Sequence, residues 1–121
     1  MNKNYKNGRA REYRIMKKLE KEGWLCIRSA GSHSPIDIIA IMPLYKYMSK
    51  INKIAEKDLS KAIDKTSKIS IMRLNQNTPA GLEGDTVIRF IQSKKTGYLT
   101  PQERREKEEL EQRFNIVIEV I

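Results

Sequence analysis

The two longest apolar stretches of this 121-residue chain, Ile36–Met42 and Ile116–Ile121, are each the length of a strand, and each is broken by one carboxylate, Asp37 and Glu119. Runs this short cannot span a bilayer, which needs about 20 apolar residues; they suit buried strands. The segments around them are periodic. After Gly8, the apolar positions Ala10, Tyr13, Met16 and Leu19 step by three and Ile15 widens the stripe, predicting a helix over Arg9–Glu22 that Gly23 stops. Trp24–Arg28 reads as a strand, Ser29–Pro35 as a loop, and Ile36–Ile41 as a buried strand ended by Pro43. Leu44, Met48, Ile51, Ala55, Leu59 and Ala62 form one stripe, predicting a single helix to about Thr66. Ile69–Leu74 and Thr86–Lys95 read as strands, the second with Ile88 and Phe90 on a buried face, and Asn75–Asp85 as the loop between them. Thr100 and Pro101 open a last helix, and Ile116–Ile121 closes the sequence as a strand. The predicted order is α-β-β-α-β-β-α-β, one α/β domain over residues 1–121 with a mixed central sheet.

Charge narrows the partners. Lys and Arg outnumber Asp and Glu by 24 to 15, a net +9, which favours a polyanion such as DNA because neutralised phosphates release counterions. The excess is concentrated at one end. Residues 1–28 carry nine bases against Glu12, Glu20 and Glu22, whereas Gln102–Arg113 carries five acids and four bases. Lys46, Lys50, Lys53, Lys57, Lys61, Lys65 and Lys68 follow the helical period, either as a solvated face or as a ridge that tracks phosphates. The single cysteine, Cys26, cannot form an intramolecular disulfide and is expected in the core, so a reducing intracellular setting is expected. The basic N-terminus precedes no apolar segment, so no secretory signal is expected.

Four polar residues sit where a core argument would not put them. Asp37 interrupts an apolar strand, and a lone carboxylate there is costly unless it is paired or binds a metal. Gln92 and Lys94 lie two apart on a predicted strand, on one face. Glu12 stands among arginines on the first helix. Each has an ordinary explanation: a turn carboxylate, the polar face of a strand, an ion-pair partner for Arg9. Together they supply hard oxygen ligands and a lysine, the parts for activating water against a phosphodiester.

Their order carries a resemblance. Gly8-Arg-Ala-Arg-Glu12, then a helix, then Gly23-Trp-Leu-Cys-Ile-Arg28-Ser-Ala-Gly-Ser32 and Pro35-Ile-Asp37-Ile-Ile-Ala40 resemble the N-terminal half of archaeal Holliday-junction resolvases, cellular or viral, within the PD-(D/E)XK nuclease superfamily. Ile91-Gln-Ser-Lys94 stands where that family has Glu-x-Lys. The likeness is strong over residues 6–41, looser over 86–99, and topological elsewhere. The chain departs from the pattern in three places. Gln92 replaces a glutamate, Tyr13 replaces an arginine, and a lysine-rich helical and loop insertion at about 44–85 fills what the family makes a short hairpin.

The resemblance implies a restriction-endonuclease-like mixed sheet flanked by helices. It implies a homodimeric Mg²⁺-dependent endodeoxyribonuclease acting on four-way junctions, with Mn²⁺ able to substitute, no small-molecule cofactor and no membrane. Asp37, Gln92 and the Ser93 carbonyl would hold the ion, and Glu12 would complete the acidic site. Lys94 would orient or deprotonate the attacking water. Arg9, Arg11, Arg28, Ser32, His33 and Lys95 would contact DNA, with a catalytic role for His33 as an alternative. Two other readings remain open: a restriction-like or repair nuclease of the same superfamily, and a non-catalytic DNA-binding protein that kept the fold, with Gln92 as the mark of lost chemistry.

Overall fold

A computed structural model describes residues 3–29, 35–73 and 85–121, with side chains at all of these except 3–7, 72 and 73. Helix α1 (Lys3–Lys21) begins before Gly8, not after it. An interior glycine costs a helix about 1 kcal/mol relative to alanine, and the packing of Ile15, Met16 and Leu19 against the core outweighs that. The helix stops at Gly23, as predicted. Gly23 has φ +100°, its N–H donates to the Glu20 carbonyl, and the Trp24 N–H donates to the Leu19 carbonyl, so the last carbonyls of the helix are satisfied.

Strand β1 (Leu25–Arg28) pairs antiparallel with β2 (Ile38–Pro43). The single helix expected next is two, α2 (Leu44–Lys57) and α3 (Leu59–Thr66), so the order is α-β-β-α-α-β-β-α-β. The break is Asp58. Its backbone is extended and its carboxylate accepts the Ser60 N–H at 3.1 Å, capping a new helix. An aspartate that captures local backbone donors interrupts an apolar stripe that periodicity alone would carry through. The fold-back leaves Leu59 64% exposed and buries Tyr47, which lies outside the predicted stripe. Leu44, Tyr47, Ile51 and Ala62 belong to the core, so these two helices are part of the body of the fold and not an appendage. Residues 74–84, the remainder of the expected insertion, lie outside the described residues.

Strand β3 (Ser70–Arg73) is followed by β4 (Asp85–Gln92), α4 (Pro101–Phe114) and β5 (Ile118–Val120). β4 is the spine of the five-stranded mixed sheet. One of its edges runs antiparallel to β2. The other is divided, with β3 antiparallel along residues 85–88 and β5 parallel along 90–92. Thr100 caps α4 as predicted: its Oγ1 accepts the Glu103 N–H at 3.2 Å, and its own N–H donates to Glu103 Oε1 at 3.1 Å.

The core covers one face of the sheet, where Ile38, Ala40 and Met42 of β2 and Val87 and Ile91 of β4 meet Leu19, Trp24, Leu44, Tyr47 and Ile51. The face of β4 expected to be buried is the shallower one, since Phe90 is only half-buried. Arg89 lies between Val87 and Ile91 because Glu119 meets it there. Arg89 Nε and Nη2 donate to the two carboxylate oxygens at 2.5 and 3.0 Å. That pairing accounts for the second interrupted apolar run. On the opposite face, Leu25 and Ile27 are 63% and 50% exposed beside half-buried Ile39 and Ile41. No described helix is long and apolar enough to cross a membrane.

Candidate functional site

The other interrupted run leads to the site. Asp37 lies one residue before β2, in the crossing between β1 and β4: its carbonyl accepts the Ser29 N–H and its N–H donates to the Ile91 carbonyl, both at 2.8 Å. The β2–β4 register, which pairs Ile38 with Ile91, therefore brings Asp37 opposite Gln92. Asp37 Oδ2 accepts the Ser93 N–H at 2.8 Å. Burial pushes the Asp37 carboxyl above its ordinary value; the Ser93 N–H opposes this, Glu12 adds to it, and Lys94 and Arg11 oppose it. Arg11 and Glu12 of α1 and Lys94, just past β4, thus all lie within electrostatic reach of one half-buried carboxylate.

α1 supplies two of these groups and fixes both. Arg11 Nε donates to Ser93 Oγ at 3.0 Å, tying the helix to the end of β4. Glu12, one residue on, accepts from Arg28 Nε at 2.7 Å, with both side chains about 15% exposed. The Arg28 guanidinium also lies 5.3 Å from the centre of the Tyr13 ring. The expected ordinary partner of Glu12 was Arg9; the partner found is Arg28, across from the helix on β1. Arg28 is therefore committed to an internal contact, whereas Arg9 and Lys95 are exposed.

β4 ends at Gln92, so Ser93 and Lys94 lie past its last paired residue and not inside the strand predicted to run to Lys95. They are held instead by the chain's last residues: the Ile121 N–H donates to the Gln92 carbonyl at 2.9 Å and the Lys94 N–H to the Ile121 carbonyl at 2.8 Å. Gln92 is buried, and among the described residues its Oε1 has no hydrogen-bond partner. A buried amide oxygen left unpaired is destabilising unless something absent from the protein alone satisfies it. The Lys94 ammonium pairs with Glu103 in the first turn of α4. Glu103 was readable as a capping-box residue from Thr-x-x-Glu, but nothing in the sequence couples it to Lys94.

Of the residues singled out, the structure brings together Glu12, Asp37, Gln92, Ser93, Lys94, Arg11 and Arg28, and leaves Arg9 and Lys95 at the surface. Ser32 and His33 lie outside the described residues. Among the described residues, no three His, Cys, Asp or Glu side chains gather closely enough to hold an ion by themselves. The oxygen donors at hand are the Asp37 and Glu12 carboxylates, the orphaned Gln92 amide oxygen and backbone carbonyls. This is a hard set that fits Mg²⁺ or Mn²⁺ and is poor for a soft metal. The chain matches no protein-family model, no curated protein and no solved structure.

Proposed function

We propose that this protein is a divalent-cation-dependent endodeoxyribonuclease of restriction-endonuclease-like fold that cuts branched DNA as a homodimer. The observation that carries the reading is the convergence on Asp37 of Glu12, Lys94 and Arg11, opposite a buried Gln92 oxygen that has no partner among the described residues. Asp37, Gln92 and the Ser93 carbonyl would hold Mg²⁺ or Mn²⁺, with Glu12 completing the site. The ion, when bound, supplies charge stabilisation at the phosphoryl oxygen and acidifies water. The chain's own groups do the rest. The Lys94 ammonium orients the attacking water and offsets the charge that develops on the phosphate. Arg11, held by Ser93, keeps positive charge beside the site. The basic N-terminal helix tracks the phosphates, which fixes position without reading bases. Leu25 and Ile27 leave apolar surface exposed beside half-buried Ile39 and Ile41 on the sheet face opposite the core, where a second copy would shield them from water.

One observation favours a second reading, a DNA-binding protein without catalysis. Glu12, Asp37 and Lys94 each already have an internal partner, in Arg28, the Ser93 N–H and Glu103. A nicking assay on a four-way junction separates the two. Native protein should cut with Mg²⁺ and not with EDTA, and Asp37→Asn should lose cleavage while keeping gel-shift affinity. No cleavage by the native chain with either Mg²⁺ or Mn²⁺ would leave the binding reading standing. Equal affinity for linear duplex would replace junction selectivity with general nuclease action.

A further inference from the structure

The break at Asp58 does more than divide a helix. An unbroken helix would have carried its lysines away from the sheet in one line. The fold-back instead turns α3 against α2, and the Tyr47 hydroxyl fixes the turn by donating to the Lys65 carbonyl at 3.0 Å. Lys50 of α2 and Lys65 of α3, fifteen residues apart, now border the same pocket, with Lys68 just after α3. The pocket has a volume of about 250 Å³ and opens on the helix-covered side of the sheet, away from Asp37 and Lys94, neither of which lines it.

Its lining divides into two kinds of surface. Trp24 and Tyr47, packed edge to face with ring centres 5.7 Å apart, form an aromatic wall with Ile51 and Ile54. The other part is charged. Arg89 lies over the Trp24 ring at 5.1 Å and is neutralised by Glu119; Lys68 is paired with Asp64 at 3.2 Å. Two ammonium groups, Lys50 and Lys65, are left, and among the described residues neither has an ion-pair partner; Glu22 is the only other acid on the lining. Two largely buried rings set edge to face, beside two cations without an ion-pair partner among the described residues, are complementary to the edge of one ring carrying one phosphate. The volume lies just below the usual ligand-pocket range of about 300–1,000 Å³, which favours a single nucleotide unit over a dinucleotide.

We propose that this pocket binds one nucleotide, its base against the Trp24–Tyr47 wall and its phosphate between Lys50 and Lys65. Base–aromatic contact is tolerant of base identity, so the pocket takes nucleotides as a class. The same chemistry is offered by a free nucleoside monophosphate and by an unstacked nucleotide in a DNA strand. The inference does not depend on the metal-dependent reading, because no residue of that site takes part.

Trp24 is the only tryptophan, so its emission reports on the pocket directly. The full chain, in EDTA and at fixed salt, is titrated with deoxyadenosine monophosphate, deoxyadenosine, inorganic phosphate and a duplex carrying one extrahelical adenosine nucleotide, with calorimetry in parallel. Saturable binding of the monophosphate is expected, with each half-ligand at least about tenfold weaker. Lys50→Ala/Lys65→Ala should weaken it about tenfold. Lys46→Ala/Lys53→Ala, on α2 but off the pocket, should leave it unchanged. Saturation by the extrahelical duplex alone, with the same dependence on Lys50 and Lys65, would assign the pocket to DNA. Failure of both sources to saturate would overturn the proposal. So would an affinity unaffected by Lys50→Ala/Lys65→Ala, or phosphate alone binding as tightly as the nucleotide.

Discussion

Replacing Arg89 with methionine should be among the most damaging single changes in this fold, and removing its partner as well should repair most of the damage. Glu119 is 5% exposed at its side chain, and both its oxygens are taken by the Arg89 fork at 2.5 and 3.0 Å. Methionine fills similar space but leaves that carboxylate buried and uncompensated. Breaking one side of a buried pair costs about 3–5 kcal/mol, whereas replacing both partners by apolar groups is often neutral or favourable. Loss of the contact over Trp24 adds about 0.5–2 kcal/mol that the double variant does not recover. Domains of this size have stabilities of about 5–15 kcal/mol, so Arg89→Met should remove a large part of the total. With a urea m-value of about 2 kcal/mol/M, its midpoint should fall by about 2 M. Arg89→Met/Glu119→Leu should return to within about 1 M of the native midpoint. Chemical denaturation followed by Trp24 emission and by circular dichroism measures both. A single variant as stable as the native chain, or a double variant no better than the single, would refute the assignment of the pair as a buried, mutually dependent unit.

Gly23→Ala should cost about 1–2 kcal/mol, because φ +100° strains any side chain while the new Cβ meets only ordinary contacts, with Met42 at 3.6 Å and Lys50 at 3.7 Å; thermal melts would show it. Cys26 should alkylate more slowly in the folded chain than in urea at pH 8–9, since burial, then Glu20, holds its thiol above the ordinary range while Arg89 pulls the other way. Because that value is raised on folding, its contribution is complete below the unfolded pKa and is lost as pH rises through the folded one, so stability should decline on the alkaline side, and a folded chain that alkylates at pH 8 as fast as it does in urea would contradict this. Glu103 is held below the ordinary carboxylate range by Lys94 and the Thr100 cap, so its contribution is present above the unfolded pKa and lost as pH falls through the folded one. Glu103→Gln should cost no more than about 1 kcal/mol at this exposed position, flatten the acid limb of the stability curve and raise DNA affinity by freeing Lys94; weaker DNA binding would count against that role.

The elements legible in the sequence were those with a local signal. Gly23 stopped its helix and Thr100-Pro101 started one, because a positive φ and a cap depend only on neighbouring residues. The Asp58 break was hidden because the apolar stripe continues in phase through it, and the decision rests on one carboxylate that accepts both the N–H and the hydroxyl of Ser60. The deeper face of β4 was misjudged for a non-local reason. Arg89 looked polar, and nothing nearby announced that Glu119, thirty residues on, would neutralise it. Asp37 was legible as an anomaly, and Glu12, Gln92, Ser93 and Lys94 were grouped with it through the resemblance; the Arg11–Ser93 contact, between residues 82 apart in the chain, had no local signal.

The same contacts give the candidate site a fixed side and an adjustable side. Glu12 and Arg28 are about 15% exposed, face each other across α1 and β1, and are further held by Tyr13. Lys94 and Glu103 are about twice as exposed, 32% and 26%, and Lys94 follows the end of β4 on a flexible four-carbon stem. Water screens the second pair more strongly, so exchanging Glu103 for a phosphate oxygen costs Lys94 little, whereas drawing Arg28 away would strand the Glu12 carboxylate. On the proposed nuclease reading, Arg28 would act on a bound strand by placing Glu12, and Lys94 would be the cation that moves toward the substrate. On that reading the internal partner of Lys94 is compatible with catalysis, because it would keep the ammonium near Asp37 until a phosphate replaced the carboxylate.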